Sequence, residues 1–205
     1  MKRLAILGAS GHGKVVAEIA ELLGWNVTFF DDAFPEISTL EVWQVKGTTT
    51  DLLASISDFE GCIVAIGNNE IRLDKTVMLQ SKQANLVTLI HPSAVVSQYS
   101  QIGVGTVVMA GAVINPFASI GLASIINTSA TVDHDCVLGN GVHISPGANL
   151  AGTVSIGNEG WVGIGAVIKQ GLLIGEKVTV GAGAVVVSNL PSNVVAIGVP
   201  AKVKK

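Results

Sequence analysis

From Ile90 onward, every sixth residue of this 205-residue chain is Ile, Val or Leu. The series runs unbroken from Ile90 through Val96, Ile102 and Val108 to Val186, seventeen positions in all. Four residues after each member the side chain is small, as at Ala94, Ser100, Thr106, Ala112, Ala118, Ser124, Ala130 and Cys136; Leu172 is the one large member of that second series. A helix repeats its apolar face every 3.6 residues and a strand every 2, so a strict period of six is neither. It marks a repeat architecture, in which each turn of chain is a structural unit that buries its apolar side against its neighbours.

A second period lies over the first. Gly103, Gly121, Gly139, Gly157 and Gly175 each follow an aliphatic residue at intervals of 18. Three hexads therefore make one coil, and glycine marks one of its three corners, where freedom of backbone angle suits a bend. The pattern predicts a parallel β-helix of triangular section, with the aliphatic and the small residues both turned inward. About five coils stack at the usual strand spacing of about 4.8 Å. A sandwich or a helical repeat does not generate an 18-residue period, and the unbroken register leaves no room for an inserted loop.

This architecture accounts for an unusual composition. Hydrophobic residues make up 49% and charged residues 13%, roughly half the charge of an ordinary soluble domain. The mean hydropathy is +0.58. No run of about 18 apolar residues occurs, so no membrane span is expected. Between positions 91 and 168 the only charges are Asp133, Asp135 and Glu159, and no Lys or Arg falls between Lys82 and Lys169. Backbone pairing and apolar stacking hold such a prism together without charged side chains. A net charge of −3 without a basic cluster argues against nucleic acid as a partner. Cys62 and Cys136 are too few for a disulfide framework and fit a reducing cytoplasm. Met1-Lys2-Arg3-Leu4 runs straight into a strand-like segment, with no signal-peptide pattern.

Residues 1–90 alternate strand and helix, as a small Rossmann-like α/β domain does. Lys2–Leu7 reads as a buried strand, followed by Gly8-Ala9-Ser10-Gly11-His12-Gly13 and a helical pattern from Val15. Val27–Phe30 is a second strand ending in Asp31-Asp32, and Cys62–Ile66 a third, opening through Gly67 into a helix that reaches about Lys82. A short helix is expected near Thr50–Ser57 and a last strand at Leu86–Ile90. A Gly-rich turn that opens a helix cradles phosphate through its backbone amides. Asp31 and Asp32, at the end of the next strand, suit sugar or ribose hydroxyls. The spacing G-x-x-G-x-G is not the dinucleotide fingerprint G-x-G-x-x-G, and 90 residues are few for a complete NAD domain. A nucleotide-linked substrate is expected, and NAD is not.

His134 stands out within the charge-poor prism. It lies between Val132 and Cys136, both inward positions, so it projects outward, flanked by Asp133 and Asp135. A carboxylate bonded to one ring nitrogen stabilises the imidazolium and leaves the other nitrogen as a base. Either aspartate can orient the ring. One coil on, in register, is Gly152, which leaves space beside the ring and exposes a backbone N–H suited to a developing oxyanion. His143, half a coil further round, cannot touch His134 in the same subunit. Cys136 points inward, which argues against an acyl-cysteine intermediate. Three histidines converging on one ion, as metal-dependent hydration requires, are not evident: His91, His134 and His143 are spread along the prism, and no metal is expected. The threonines Thr106, Thr128, Thr131, Thr153 and Thr179 form no single column, unlike an ice-binding face.

The hexads and the ending Gly198-Val199-Pro200-Ala201-Lys202 resemble those of the hexapeptide-repeat acyltransferases. With Ala9–Gly13, Asp31-Asp32, Ala65–Glu70, Asn127-Thr128-Ser129, His134-Asp135, His143 and Gly152, the whole chain resembles the sialic acid O-acetyltransferase-like branch of that family. It is most similar there to the members that N-acetylate UDP-linked 4-amino sugars of the bacillosamine type. The resemblance implies a left-handed coil and a homotrimer with active sites at subunit interfaces. It implies His134 as general base with Asp135 raising its basicity, and a nucleotide sugar bound by Ser10, Gly11, His12, Asp31, Asp32 and Gly67. It implies acetyl-CoA as co-substrate near Asn127, His143, Gly152 and Ile164. Acetylation of a GDP-linked (perosamine-type) amino sugar, or O-acetylation of sialic acid, is the alternative.

Overall fold

The computed structural model describes residues 2–204. The chain divides into two compact units, Met1–Leu89 and Ile90–Lys205.

The first unit is built on strand β1 (Lys2–Leu7), helix α1 (Gly11–Leu22) and strand β2 (Trp25–Phe30). A hairpin of β3 (Thr39–Leu40) and β4 (Trp43–Gln44) follows, then α2 (Thr49–Ala54), β5 (Gly61–Val64) and α3 (Asn69–Ser81). The sheet has the order β2-β1-β5 and is parallel throughout. Leu4, Ile6, Phe29 and Ile63 are wholly buried, as expected of strands covered on both faces.

Several bounds differ from the sequence reading. Helix α1 begins at Gly11, inside the Gly-rich segment, so the first helical turn is itself the cradle. Between Ala33 and Glu60, the hairpin is followed by α2, whose start is secured by reciprocal bonds between Thr48 and Asp51, a capping box. The last strand contracts to Leu89–Ile90, with Leu86 making one bridge to Cys62.

The second unit is the expected prism, with sheets of six, five and eight strands that are parallel except for the terminal pair of the third. Most strands are two residues long and pair in an 18-residue register, as in the column Val95, Val113, Thr131, Asn149, Val167, Val185. Ile114, Val132, Leu150 and Ile168 fill the prism together with Ala112, Ala130, Ala148 and Ala166, each at most 2% exposed. The six-stranded sheet counts six coils rather than about five. The chain beyond Val186 completes the last of them, through a bridge from Leu190 to Ile174. The antiparallel pairing of Val195–Ile197 with Lys202–Val203 then closes the end, occupying an edge that would otherwise be open.

The glycine column has a different cause from the one inferred. Gly103 and Gly121 are not in the left-handed region. A Cβ at Gly121 would lie 2.5 Å from the Gly139 carbonyl oxygen, and one at Gly103 2.5 Å from the Leu122 nitrogen. Glycine stands there because consecutive coils approach closely. The left-handed angle falls two residues later, on Gly105, Ala123, Gly141, Glu159 and Lys177.

Candidate active site

Thr131–Val132 ends one face of the prism and Val137–Leu138 begins the next. The turn between them, Asp133 to Cys136, buries Val132 and Cys136 completely and so sets His134 out at the corner. Asp135 takes the left-handed place in this turn, with φ 59°, a conformation that Asp tolerates better than most residues. Its Oδ2 lies 2.8 Å from His134 Nδ1. Asp133 is occupied differently: its Oδ1 accepts from the His134 backbone N–H at 2.7 Å and from Asn115 Nδ2 at 2.7 Å. Of the two candidate aspartates, then, Asp135 orients the ring and Asp133 fixes the backbone that carries it.

These contacts set the electrostatics. The bond to Asp135 raises the pKa of His134, and the charge of Asp133 adds to the effect. The bond from the His134 N–H, and that from Asn115, hold Asp133 below the usual carboxylate range. With Nδ1 committed to Asp135, the free lone pair is on Nε2.

Nε2 faces Gly152. A Cβ there would lie 2.6 Å from both Cε1 and Nε2 of His134, so glycine is required by the approach of the ring. The coils are tied at this point by the Thr153 N–H, which donates to the His134 carbonyl at 2.9 Å. Behind the corner, the Cys136 thiol donates to the Ala151 carbonyl at 3.3 Å. Burial raises its pKa, which keeps it protonated and a poor nucleophile.

Of the residues expected at acetyl-CoA, Gly152 lies with His134, and Asn127, His143 and Ile164 form a second group along the eight-stranded sheet. Asn127 Nδ2 and His143 Nε2 are 3.0 Å apart. The His143 ring stacks on Trp161 with centroids 5.8 Å apart and planes 4° from parallel. Trp161 Nε1 donates to Ser145 Oγ, and Ile164, at the corner after Trp161, is exposed. Within one chain this group and the His134–Asp135–Gly152 group occupy different corners. Trp161 was missed in the sequence, although its place 18 residues beyond His143 marks it as a register neighbour; Asn115, 18 before Asp133, carried the same signal.

In the first unit, the strand order β2-β1-β5 puts the topological switch between β1 and β5, where open α/β sheets bind ligands. The loops leaving these strands hold Gly8–Gly13 and Gly67–Asn69. Gly8 has φ +115°, and a Cβ there would meet the Ala65 carbonyl at 2.8 Å; Gly11 and Gly67 face open space. Ser10 caps α1 with extended backbone and makes no side-chain capping bond. His12 Nε2 is buried and has no hydrogen-bond partner among the described residues. Burial, reinforced by the charge of Arg72, lowers its pKa to about 4, so the ring is neutral at pH 7. Arg72, also missed in the sequence, is 1% exposed and ties the second loop by donating to the carbonyls of Ile66 and Gly67, each at 3.0 Å.

Asp31 accepts from the Ala9 N–H at 2.7 Å and the Ala33 N–H at 2.9 Å, which locks the cradle to the end of β2. Asp32 accepts from the Thr49 N–H and from Lys75 Nζ, each at 2.8 Å. The Lys75 contact leads in lowering its pKa to about 2.

A prism of hexads with a carboxylate-oriented histidine at one corner defines a hexapeptide-repeat protein equipped for base-assisted chemistry. Residues 3–79 match the PglD N-terminal domain. The UDP-N-acetylbacillosamine N-acetyltransferase of Bacillus subtilis is 39% identical over 102 residues, which span 48% of this chain and 47% of that protein; the match thus takes in about half of that curated relative. Two solved structures are similar over nearly their whole length. The acetyltransferase domain of PglB from Neisseria gonorrhoeae, in complex with acetyl coenzyme A, is 45% identical over 99% of each chain, with a TM-score of 0.95. A variant of perosamine N-acetyltransferase from Caulobacter crescentus, in complex with CoA and GDP-perosamine, is 41% identical over 100% of this chain and 98% of that one, with a TM-score of 0.96. The chain belongs to the hexapeptide-repeat β-helix acetyltransferase family.

Proposed function

We propose that this protein transfers the acetyl group of acetyl-CoA to the 4-amino group of a UDP-linked amino sugar of the bacillosamine type. The observation that carries the reading is the 2.8 Å contact between His134 Nδ1 and Asp135 Oδ2, which leaves Nε2 as a base whose basicity is raised. The likeness to the B. subtilis N-acetyltransferase, to an acetyltransferase domain in complex with acetyl coenzyme A and to a perosamine N-acetyltransferase in complex with CoA supports the choice of substrates.

In the reaction, His134 Nε2 takes a proton as the sugar nitrogen attacks the thioester carbonyl carbon. The Gly152 N–H, which has no acceptor among the described residues, donates to the oxyanion of the tetrahedral intermediate. The C–S bond then breaks, and the departing CoA thiolate recovers the proton from the imidazolium. Asp135 stabilises that imidazolium in between. Transfer is direct, consistent with a buried and protonated Cys136 thiol.

The first unit holds the nucleotide sugar. Gly11, His12 and Gly13 present the amides at the start of α1 to the diphosphate, with Ser10, Asp31, Asp32 and Gly67 around it. Asn127, His143, Gly152 and Ile164 hold acetyl-CoA. Since the His134 and His143 groups stand at different corners of one prism, the site is completed by a neighbouring copy in a homotrimer. A coenzyme-A thioester donor and a nucleotide-sugar acceptor support a reaction in the cytoplasm. Among the described residues, no helix is long and apolar enough to cross a membrane.

The second reading, acetylation of a GDP-linked perosamine-type sugar, is favoured by the full-length likeness to the C. crescentus enzyme. Thiol release from acetyl-CoA, measured with UDP- and GDP-linked 4-amino sugars and with free sialic acid, separates these readings. Turnover only with sialic acid overturns N-acetylation; turnover with the GDP sugar alone selects the second reading.

A further inference from the structure

One coil before His134 the prism carries a second unusual corner. Phe117 occupies its left-handed place, with φ 64°. A bulky side chain in that region is a true outlier, and at comparable corners the place is taken by Gly, Ala, Ser, Asp, Thr, Glu or Lys. Strain of this kind persists where the side chain serves a purpose. Within the single chain the ring is not buried. Phe117 is 64% exposed, and its ring stacks on Tyr99, 60% exposed and 18 residues earlier in the same column. The two rings are 5.7 Å apart between centroids and 26° from parallel.

This corner is bonded directly to the His134 turn. The Asp135 N–H donates to the Pro116 carbonyl at 3.2 Å, and Asn115 Nδ2 donates to Asp133 Oδ1 at 2.7 Å. Phe117 is thus the register neighbour of Asp135, as Pro116 is of His134. On the other side of the ring, the next coil brings Gly152 against Nε2. The His134 turn therefore has Gly152 on one side along the prism, and on the other the corner column that carries the Phe117 and Tyr99 rings.

We infer, on the strength of the amino-sugar acetylation proposed above, that the Tyr99–Phe117 stack is the wall on which the acceptor sugar lays its apolar face. A pyranose ring, above all a deoxy sugar with a methyl substituent, presents C–H groups on one face. These pack on the electron-rich face of an aromatic ring, and such a wall orients the amine toward His134 without adding charge. Tyr99 and Phe117 are then specificity-determining residues of the acceptor subsite.

Phe117→Gly tests this, because it removes the ring and relieves the left-handed strain together. The variant is expected to keep its Tm and the oligomeric mass of the wild type. Its KM for the amino sugar rises about tenfold, a loss of about 1.4 kcal/mol, while KM for acetyl-CoA and kcat stay within about twofold. Phe117→Tyr restores the sugar KM. An unchanged sugar KM overturns the assignment, as does an equal rise in both KM values. A fall in oligomeric mass overturns it too, by placing the rings in a contact between copies. Wild-type turnover with the amino sugars is the control: its absence defeats the acetylation reading itself, whereas an active wild type with an indifferent Phe117→Gly defeats only the aromatic wall.

Discussion

His134 and Gly152 are joined by an absence: a Cβ on residue 152 would lie 2.6 Å from both Cε1 and Nε2 of the His134 ring. Contacts under 3 Å force one partner to move, and the backbone at 152 is pinned, its carbonyl accepting from the Gly171 N–H at 3.0 Å. The ring must therefore yield. Gly152→Ala is expected to lower kcat at least a hundredfold by swinging the imidazole off its axis, while the prism stays folded. A crystal structure showing His134 undisturbed, with normal turnover, would refute the packing argument.

His134→Ala removes the proposed base and leaves the corner otherwise intact, since the ring is exposed and supports no core. A loss of kcat of about a hundred- to ten-thousandfold is expected, with acetyl-CoA affinity and Tm near those of the wild type. Steady-state kinetics with calorimetric titration of the coenzyme checks both halves.

Asp135→Asn affects the pH profile as well as the rate. The contact to Asp135 is the leading cause of the raised pKa of His134, and a histidine in the proposed role of base works only when deprotonated. Weakening that contact lowers the pKa, so the acid limb of kcat/KM should move to lower pH, with a fall of about ten- to a hundredfold on the plateau. Asp133→Asn should shift the limb less, because Asp133 bonds the backbone rather than the ring. A pH–rate series on both variants decides.

His12 makes a prediction of opposite sign. Its pKa is lowered from 6.5 to about 4 by burial and then by Arg72. As pH falls through that interval, the unfolded chain takes up a proton that the folded chain refuses, so stability declines. The contribution is complete above about pH 6.5 and is lost toward about pH 4. His12→Gln should flatten this part of the pH dependence, measured as the denaturation midpoint of the whole chain between pH 7 and 4.5.

The glycine column and the left-handed column separate in a pair of stability measurements. Gly121→Ala drives a methyl group into the Gly139 carbonyl, 2.5 Å away, and should cost about 3 kcal/mol, or roughly 6–12 °C in Tm. Ala123→Gly, at φ 56°, should lie within about 1 kcal/mol of neutral, because relief of strain offsets the added chain entropy.

Much of this protein follows from period alone. A six-residue repeat dictates which side chains turn inward, so Val132 and Cys136 had to be buried and His134 had to stand outside. Three hexads per coil dictate register, so Gly152 had to face His134. These are consequences of where successive Cβ atoms point, and no tertiary information enters them. Tertiary structure decided what depends on reach and on backbone angle. Asp133 and Asp135 are equivalent in spacing; the left-handed φ at Asp135 turns one carboxylate to the ring while Asn115, a coil away, takes the other. The same limit hid the reason for the glycine column, which lies in the approach of the next coil. It also hid the stacking of His143 on Trp161, the ties made by Arg72 and the exposed pair Tyr99–Phe117. A linear pattern records the direction of each side chain, but whether two of them meet is settled by the distance between coils and the rotamers that packing allows.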